Sequence, residues 1–457
     1  MNDSKNNIRA ELATLPVGKL LWRYSVPAIV GTMVMSLYNV IDRIFIGQGV
    51  GPDAISGLAL TFPIMSISGA IGMLVGQGAA ARISIVMGQD DKEKAEKILA
   101  NSLILSVTFA LCYLSLFVIF MDDILRSFGG SDRTIPYARE FLLYIMPGML
   151  CTNLCYSFNN MMRASGYPGK AMYTMLIGAF SNLVLAPIFI FGLKLGIKGA
   201  AIATDIAMAI SAVFVMAHFC NTRSNVRFHR RYFKLEWAIL INIVSIGMSP
   251  FLVNIASSVI NAIINTSLYR YGGDEAIGAF GIFNSYATLV VMLIVGLCQG
   301  MQPVVGYNYG AGNYDRMKRA FKITCVVATL CATVGWIGST FFPYYIIRAF
   351  TTDEHLIDVA IHGMRIAMGV FPIVGIQMVA TNLFQSLGMA SKAIFMSLTR
   401  QVIFLIPLLL IFPRLFELNG VWGAMPVSDT IATLVTLLML WQTNRKLGQN
   451  NRVTPAA

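Results

Sequence analysis

Charge is scarce in this sequence. Only 12% of its 457 residues are Asp, Glu, Lys or Arg, against about 25% in an ordinary soluble domain. The scarcity runs the whole length, which excludes a soluble globular enzyme and puts most of the chain in lipid. Other signatures are missing as well. No phosphate-binding loop of the Walker type occurs, so ATP does not drive the protein directly. The string GMLVGQGAAA (72–81) lies inside an apolar stretch and follows no soluble strand, so it is no dinucleotide site. The four histidines, His218, His229, His355 and His362, lack zinc-ligand spacing, and no Ser/His/Asp or Cys/His grouping occurs. The expectation is a protein that is not an enzyme, with neither cofactor nor metal. All seven cysteines sit in or beside apolar stretches, which excludes a disulfide framework. Cys151 and Cys155, on one helix face, read as small packing residues. No cleavable signal peptide is expected, because the first twenty residues are polar and the next run is a full span.

What is present is apolar: 56% of residues are hydrophobic and the mean hydropathy is +0.68. Twelve long stretches stand out, near 25–46, 54–80, 98–120, 137–161, 171–193, 196–219, 239–264, 277–303, 320–346, 360–385, 393–412 and 419–443. Each approaches or exceeds the roughly 20 residues that a helix needs to cross a bilayer. Lipid admits only helices or closed barrels. Barrel strands would be about ten residues long and alternating, and these stretches are not.

The chain also repeats itself. Pro27 pairs with Pro250, Gln77-Gly78 with Gln299-Gly300, Gly88 with Gly310, Lys170 with Lys392, Gly196 with Gly420 and Asp205 with Asp429, at an offset of 222 to 224. Six helices per copy return the chain to the side it entered from. The fold class expected is therefore all-α integral membrane, with twelve transmembrane helices in two six-helix lobes related by a pseudo-twofold axis along the membrane normal. The expected parts are an N-terminal cytoplasmic segment (1–19), an N-lobe (20–220), a basic linker (221–237), a C-lobe (238–445) and a cytoplasmic tail (446–457). A duplicated apolar body suits carrying solutes better than chemistry in water.

The net charge of +12 suggests nucleic acid at first sight. Its distribution says otherwise. With both termini cytoplasmic, 22 Lys and Arg fall on the inner segments, Arg163 and Arg223 to Lys234 among them, and ten on the outer face. That is the positive-inside bias. It points to a multi-pass membrane protein with the lipid bilayer as partner and no nucleic acid; the bacterial plasma (inner) membrane and a monomer are expected besides, and not from the charge pattern. Arg82 and Arg400 fall within or at the edge of spans.

Two matched cytoplasmic loops, GQDDKEKAEKI (88–98) and GAGNYDRMKRAFK (310–322), begin with a Gly turn followed by an amphipathic stretch. Asp90-Asp91 resembles a magnesium-holding acid pair, but the second loop has none. Capping of a helix start explains these aspartates better.

The informative residues are polar ones inside spans. Asp42 lies in the first span, where a central carboxylate would cost about 2.5–3.5 kcal/mol to insert. Either it pairs with Arg43 at the interface, or it faces the lobe interior as a proton or cation site. Adjacent helix residues do not face each other, which favours the interior. Its counterpart in the second copy is Asn265, so the charge is one-sided. Asp205 and Asp429 stand at equivalent places early in the last helix of each lobe, preceded by Thr204 and Ser428. Structural and functional roles are both open for them, and Asp205 would join Asp42 if the first and sixth helices touch. Asn182 precedes Pro187, which interrupts the fifth span; freed carbonyls there suit water or a cation, and a packing kink explains the proline equally well. NNMMRASG (159–166) pairs with TNLFQSLG (381–388) and reads as a helix end leaving the membrane at Arg163. Met and Phe are abundant, 26 and 28, which suits tolerant binding surfaces and ordinary packing alike.

Together VPAIVGTMVMSLYNVIDRIFIGQ, GQGAAARISIVMGQ, MMRASGYPGKA, GIKGAAIAT and QPVVGYNYGAGNYDRMKRA resemble the multidrug and toxic compound extrusion (MATE) family, in its DinF/MepA-like branch, from about Leu20 to Arg445. The resemblance implies a secondary active antiporter that exports cationic or amphipathic drugs and metabolites by alternating access, driven by protons or sodium. It assigns proton or cation coupling to Asp42, to Asn182 on the fifth helix, to Thr204 on the sixth, and to Asn159 or Asn160 on the fourth, with Asp205 as a further carboxylate. Relatives often carry an Asp four residues after the Asn, where this chain has Ala186. Relatives of the other main branch use acids in the seventh and tenth helices. Those spans here hold Asn254, Asn261, Asn265, Gln377 and Asn382, so Asn261, Asn265, Gln377 and Asp429 are the C-lobe polar or substrate candidates. The proton is the preferred coupling ion, with sodium at Asp42, Asn182 and Thr204 as the alternative. A lipid-linked oligosaccharide flippase has a related two-lobed form but would need several deep Arg or Lys residues. A membrane-embedded transferase would need paired acids at the membrane surface, and a passive channel would not need a duplicated body.

Overall fold

The computed structural model describes residues 11–50, 52–127 and 134–450. The beginning of the N-terminal segment with Lys5 and Arg9, the outer-loop residue Arg133 and the end of the tail with Arg452 lie outside the described residues. Every regular element among those described is helical. The elements are α1 (Val17–Val50), α2 (Pro52–Gly88), α3 (Lys92–Ile119), α4 (Met121–Ser127), α5 (Ile135–Ala164), α6 (Pro168–Pro187), α7 (Gly196–Cys220), α8 (Trp237–Gly310), α9 (Tyr314–Phe341), α10 (Pro343–Arg348), α11 (Glu354–Ala367), α12 (Phe371–Ser386), α13 (Ala390–Leu398) and α14 (Ile406–Asn450).

Local chemistry marks the helix starts. The Asp91 carboxylate accepts from the Lys94 backbone N–H at 3.0 Å, so the acid pair of the sequence serves, at least through Asp91, as the cap of α3. Asp353 caps α11 in the same way. Pro168 and Pro343 open α6 and α10, where the missing N–H costs nothing. Pro187 ends α6, and the chain continues as a wider π-helical turn over Ile188–Gly192.

Among the described residues nine helical segments are long and apolar enough to cross a bilayer, and α11 with α12, bent by 54°, makes a tenth. Two of the nine are double. The segment Trp237–Gly310 has 74 residues and breaks at Gly273 (φ 66°); the segment Ala390–Thr443 has 54 and breaks at Glu417 (φ 51°). A single crossing at 1.5 Å per residue uses about 20. Each is thus two spans joined by a sharp turn, and the total is twelve. Gly273 suits its turn because a left-handed residue carries no penalty without a Cβ.

The chain packs as two compact units. The first comprises Met1–Ile255, Gln299–Ala320 and Gln385–Ala390. Its apolar core gathers Phe141, Leu142, Ile145 and Met149 of α5 against Ile64 of α2, Tyr113 and Phe117 of α3, and Ile197 and Ala201 of α7. Near the loop ends of α2 and α8, Gly88 and Gly310 let the backbones meet: a Cβ on Gly88 would lie 2.1 Å from the Tyr307 carbonyl oxygen, and one on Gly310 would lie 1.9 Å from that of Ile85. The matched glycines of the two copies serve each other reciprocally. Gln385 Nε2 donates to Gln77 Oε1 at 2.8 Å and Gln302 Nε2 to the Gln77 carbonyl at 3.3 Å, which satisfies buried amides beside that contact. The end of the N-terminal segment docks too: Arg316 donates to the carbonyls of Leu12 (3.2 Å) and Leu15 (2.6 Å).

The basic linker is fastened rather than loose. Asn101 donates to the Lys234 carbonyl at 3.1 Å and accepts from the Glu236 N–H at 3.0 Å, while Asn225 donates to the Ser165 carbonyl at 3.2 Å. His229 lies 3.4 Å from the buried carboxylate of Glu96.

The second unit comprises Ala256–Cys298, Phe321–Phe384 and Ser391–Ala457. Its largest fully buried side chain is Trp422, which packs against Phe280 and Phe283. Tyr286 ties α8 to α9 through the Gly335 carbonyl at 2.7 Å.

Candidate functional site

Asp42 and Tyr38 occupy one face of α1, a single turn apart. One carboxyl oxygen of Asp42 is buried, and Tyr38 lies within its electrostatic reach. The Tyr38 hydroxyl lies near that of Thr204 on α7. Asn182 of α6, 1% exposed, donates from Nδ2 to Thr204 Oγ1 at 2.8 Å. Three helices thus bring Asp42, Tyr38, Thr204 and Asn182 into one polar group inside an apolar bundle. Arg43, the alternative partner for Asp42, has its side chain outside the described ones. Tyr38 was not among the sequence candidates. A tyrosine in a span is unremarkable by itself, and its place four residues before Asp42 was the signal available.

Below this group lies an apolar cluster of Ile46, Ala186, Ile190, Ala200 and Ala203, with Phe45 and Phe189 against it. Ala186 is fully buried there. The position where relatives often carry a second carboxylate is therefore enclosed by hydrocarbon in this chain.

Asp205, adjacent to Thr204, faces another helix. Its carboxyl lies beside Gly148 and near Cys151 of α5. A Cβ on Gly148 would come within 1.8 Å of Asp205 Oδ1, so only glycine admits this approach. Successive residues on α7 point about 100° apart, and Thr204 takes the direction toward α6.

Asn159 and Asn160 are also elsewhere. Asn159 Nδ2 donates to the Ala171 carbonyl at 2.6 Å, and its Oδ1 accepts from Arg163 Nη2 at 2.9 Å; Asn160 donates to the Tyr156 carbonyl of its own helix at 2.8 Å. Arg163, read from the sequence as the point of exit into the cytoplasm, is only 3% exposed and also donates to Gln299 Oε1 at 2.5 Å. The helix does end there, but the guanidinium turns inward, where two amide oxygens accept from its Nη atoms.

In the second unit Asp429 is paired. Arg400 Nε donates to Asp429 Oδ1 at 2.7 Å, and Ser428 donates to the Arg400 carbonyl at 2.7 Å. Gln377 is 2% exposed, and its carbonyl accepts from Thr381 at 3.0 Å. Asn261 and Asn265 are exposed. No contact among the described residues gathers Asn261, Asn265, Gln377 and Asp429 into one site. No group of three or more His, Cys, Asp or Glu side chains suited to a metal occurs among the described residues.

Twelve apolar helices with a buried polar group between three of them define a multi-pass membrane protein of the transporter class. A family model described as MatE matches residues 27–188 and again 250–411. The two matches begin at the prolines that set the internal repeat, and the chain belongs to this family of multidrug efflux transporters. The multidrug export protein MepA of Staphylococcus aureus (strain MSSA476) is 28% identical over 426 residues, covering 93% of this chain and 94% of that protein. MepA of Staphylococcus haemolyticus (strain JCSC1435) is 27% identical over 433 residues, 94% of each. Among solved structures, a MATE in the bent conformation superposes with a TM-score of 0.91 at 24% identity, covering 97% of this chain and 99% of that one. An outward-facing multidrug resistance MATE family transporter gives 0.89 at 24% identity, covering 96% and 98%.

Proposed function

We propose that the protein is an antiporter that expels cationic or amphipathic small molecules in exchange for protons, and that Asp42 carries the proton. The observation behind this reading is the placement of Asp42 and Tyr38 against the Asn182–Thr204 hydrogen bond, with one Asp42 oxygen out of water. In this reading the carboxyl takes up the proton in one state of the protein and gives it up in the other. Protonation turns it from a pure acceptor into a donor. The neighbouring Tyr38 and Thr204 hydroxyls must then rotate, which alters the link between α1 and α7. Substrate and proton shift the protein only through unequal affinity for its states. In alternating access, the states differ in which side admits them to the lobes 20–220 and 238–445.

Sodium is the less favoured ion. Asp42, Tyr38, Thr204 and Asn182 offer oxygens of the right kind, but Ala186 withholds a second carboxylate and sits among hydrocarbon side chains. The surroundings we infer are the plasma membrane of a bacterium, with both termini cytoplasmic, in keeping with the 22 to 10 division of basic residues. We infer a monomer that works without cofactor, catalysis or nucleic acid. MepA's name as a multidrug export protein supports the substrate class.

The test is transport of a cationic dye in everted vesicles, with proton and sodium gradients imposed separately. The proton gradient alone is expected to drive uptake. Uptake driven by sodium alone would reverse the choice of ion, and uptake by neither would remove the antiport reading.

A further inference from the structure

Among the described residues several buried or half-buried arginines are held by neighbours. Arg163 is held by Asn159 and Gln299, Arg400 by Asp429, and Arg316 by Asn308 and two carbonyls. Arg82, half-buried on α2, makes no hydrogen bond or ion pair with any described residue. It lines instead a cavity of about 440 Å³ between α2 and the starts of α3 and α8. A half-buried guanidinium that pairs with none of the described acids is stabilised by an anion that enters the cavity it lines.

The rest of the lining narrows what that is. The acids there are engaged: Glu93 and Glu236 both hold Lys97, at 3.3 and 3.7 Å, and Asp91 caps α3. Lys94 lines the cavity with an amino group that makes no hydrogen bond or ion pair among the described residues. Two uncommitted cations, one of them a planar fork, recognise a phosphate. The location favours one source. The stretch of chain that borders the cavity exposes Trp237 (70%), Ile241 (61%) and Leu235 (50%). Tryptophan beside aliphatic residues at a helix start is the composition of a membrane interface.

We propose that this cavity binds the phosphate of a bilayer phospholipid from the leaflet bordered by the linker, with Arg82 as the principal ligand and Lys94 as the second. The site is separate from the Asp42 group, and neither depends on the other.

The experiment is native mass spectrometry of the full chain in detergent, titrated with dioleoylphosphatidylglycerol. Phosphate-free dioleoylglycerol and soluble glycerol 3-phosphate form the other arms. The wild type is expected to retain the phospholipid, to bind dioleoylglycerol weakly and to ignore glycerol 3-phosphate at equal concentration. Arg82→Gln is expected to weaken retention about tenfold or more, the effect of losing a charge-assisted fork. Lys94→Gln should weaken it about threefold, and Gln at the exposed Arg230 should leave it unchanged. Equal retention by wild type and Arg82→Gln would overturn the site. Equal binding of dioleoylglycerol would overturn phosphate recognition, and equal competition by glycerol 3-phosphate would overturn the lipid source. Should Arg82→Gln fail to fold, the exposed Lys94 decides, because undiminished retention in Lys94→Gln also sinks the proposal.

Discussion

Asp205 and Asp429 occupy matching places in the two copies, yet a cation stands beside only the second. Arg400 holds Asp429, and the residue at the place of Arg400 in the first copy, 222 positions earlier, is Gly178. The repeat, at its offsets of 222 to 224, carries Tyr38 to Asn261, Asp42 to Asn265, Asn182 to Phe404 and Thr204 to Ser428. The first copy therefore keeps a titratable polar group between three helices. The second copy replaces its members by amides and a ring, and the serine turns to the Arg400 carbonyl. One scaffold carries, in one half, a carboxylate on α1 grouped with hydroxyls and an amide and, in the other, a carboxylate held by Arg400.

The largest effect should come from making the first copy resemble the second. Asp42→Asn is expected to lower proton-driven dye uptake to the level of vesicles without the protein, while the amount inserted in the membrane stays normal; uptake at the wild-type rate would break the contrast. Next is Arg400→Leu, which strands Asp429 inside the second unit. Removing one partner of a buried pair costs about 3–5 kcal/mol, and the partial exposure of Arg400, 29% by side chain, puts this variant at or below the lower end. Thermal unfolding in detergent should detect the loss, and adding Asp429→Asn should restore most of it. Thr204→Val leaves the Asn182 amide without its acceptor, at about 1–3 kcal/mol. It should weaken coupling without abolishing it, read as a shifted pH dependence of uptake. Asp205→Asn should do least. Its carboxyl faces Gly148 rather than Asp42, so coupled export is expected to continue, and its loss would move Asp205 into the coupling group.

Much of the fold was legible because hydropathy is a whole-length signal. The turn at Gly273 falls between the stretches expected at 239–264 and 277–303, and the turn at Glu417 between 393–412 and 419–443. The site was legible in part. Asp42 announces itself by the cost of a carboxylate in a span, and Asn182 and Thr204 came through the family resemblance. What the sequence hid were directions. Asp205 follows Thr204 in the chain and looks away from it in space. Arg163 sits at a helix end, where a basic residue ordinarily meets water, yet turns inward to two amides. Tyr38 hid among seventeen tyrosines, most of them unremarkable. Arg82 could be noted as a base in a span, but no pattern of residues foretells a cavity between three helices.

The central claim is that Asp42 gains and loses the exchanged proton. Its most direct test is proton release when a cationic dye binds to the purified protein in weakly buffered detergent solution, followed with a pH indicator. If dye and proton compete at this carboxyl, the wild type releases up to about one proton per dye bound near the pH at which the group titrates, and Asp42→Asn releases none. Release of the same size from Asp42→Asn would contradict the account and place the exchanged proton on another group.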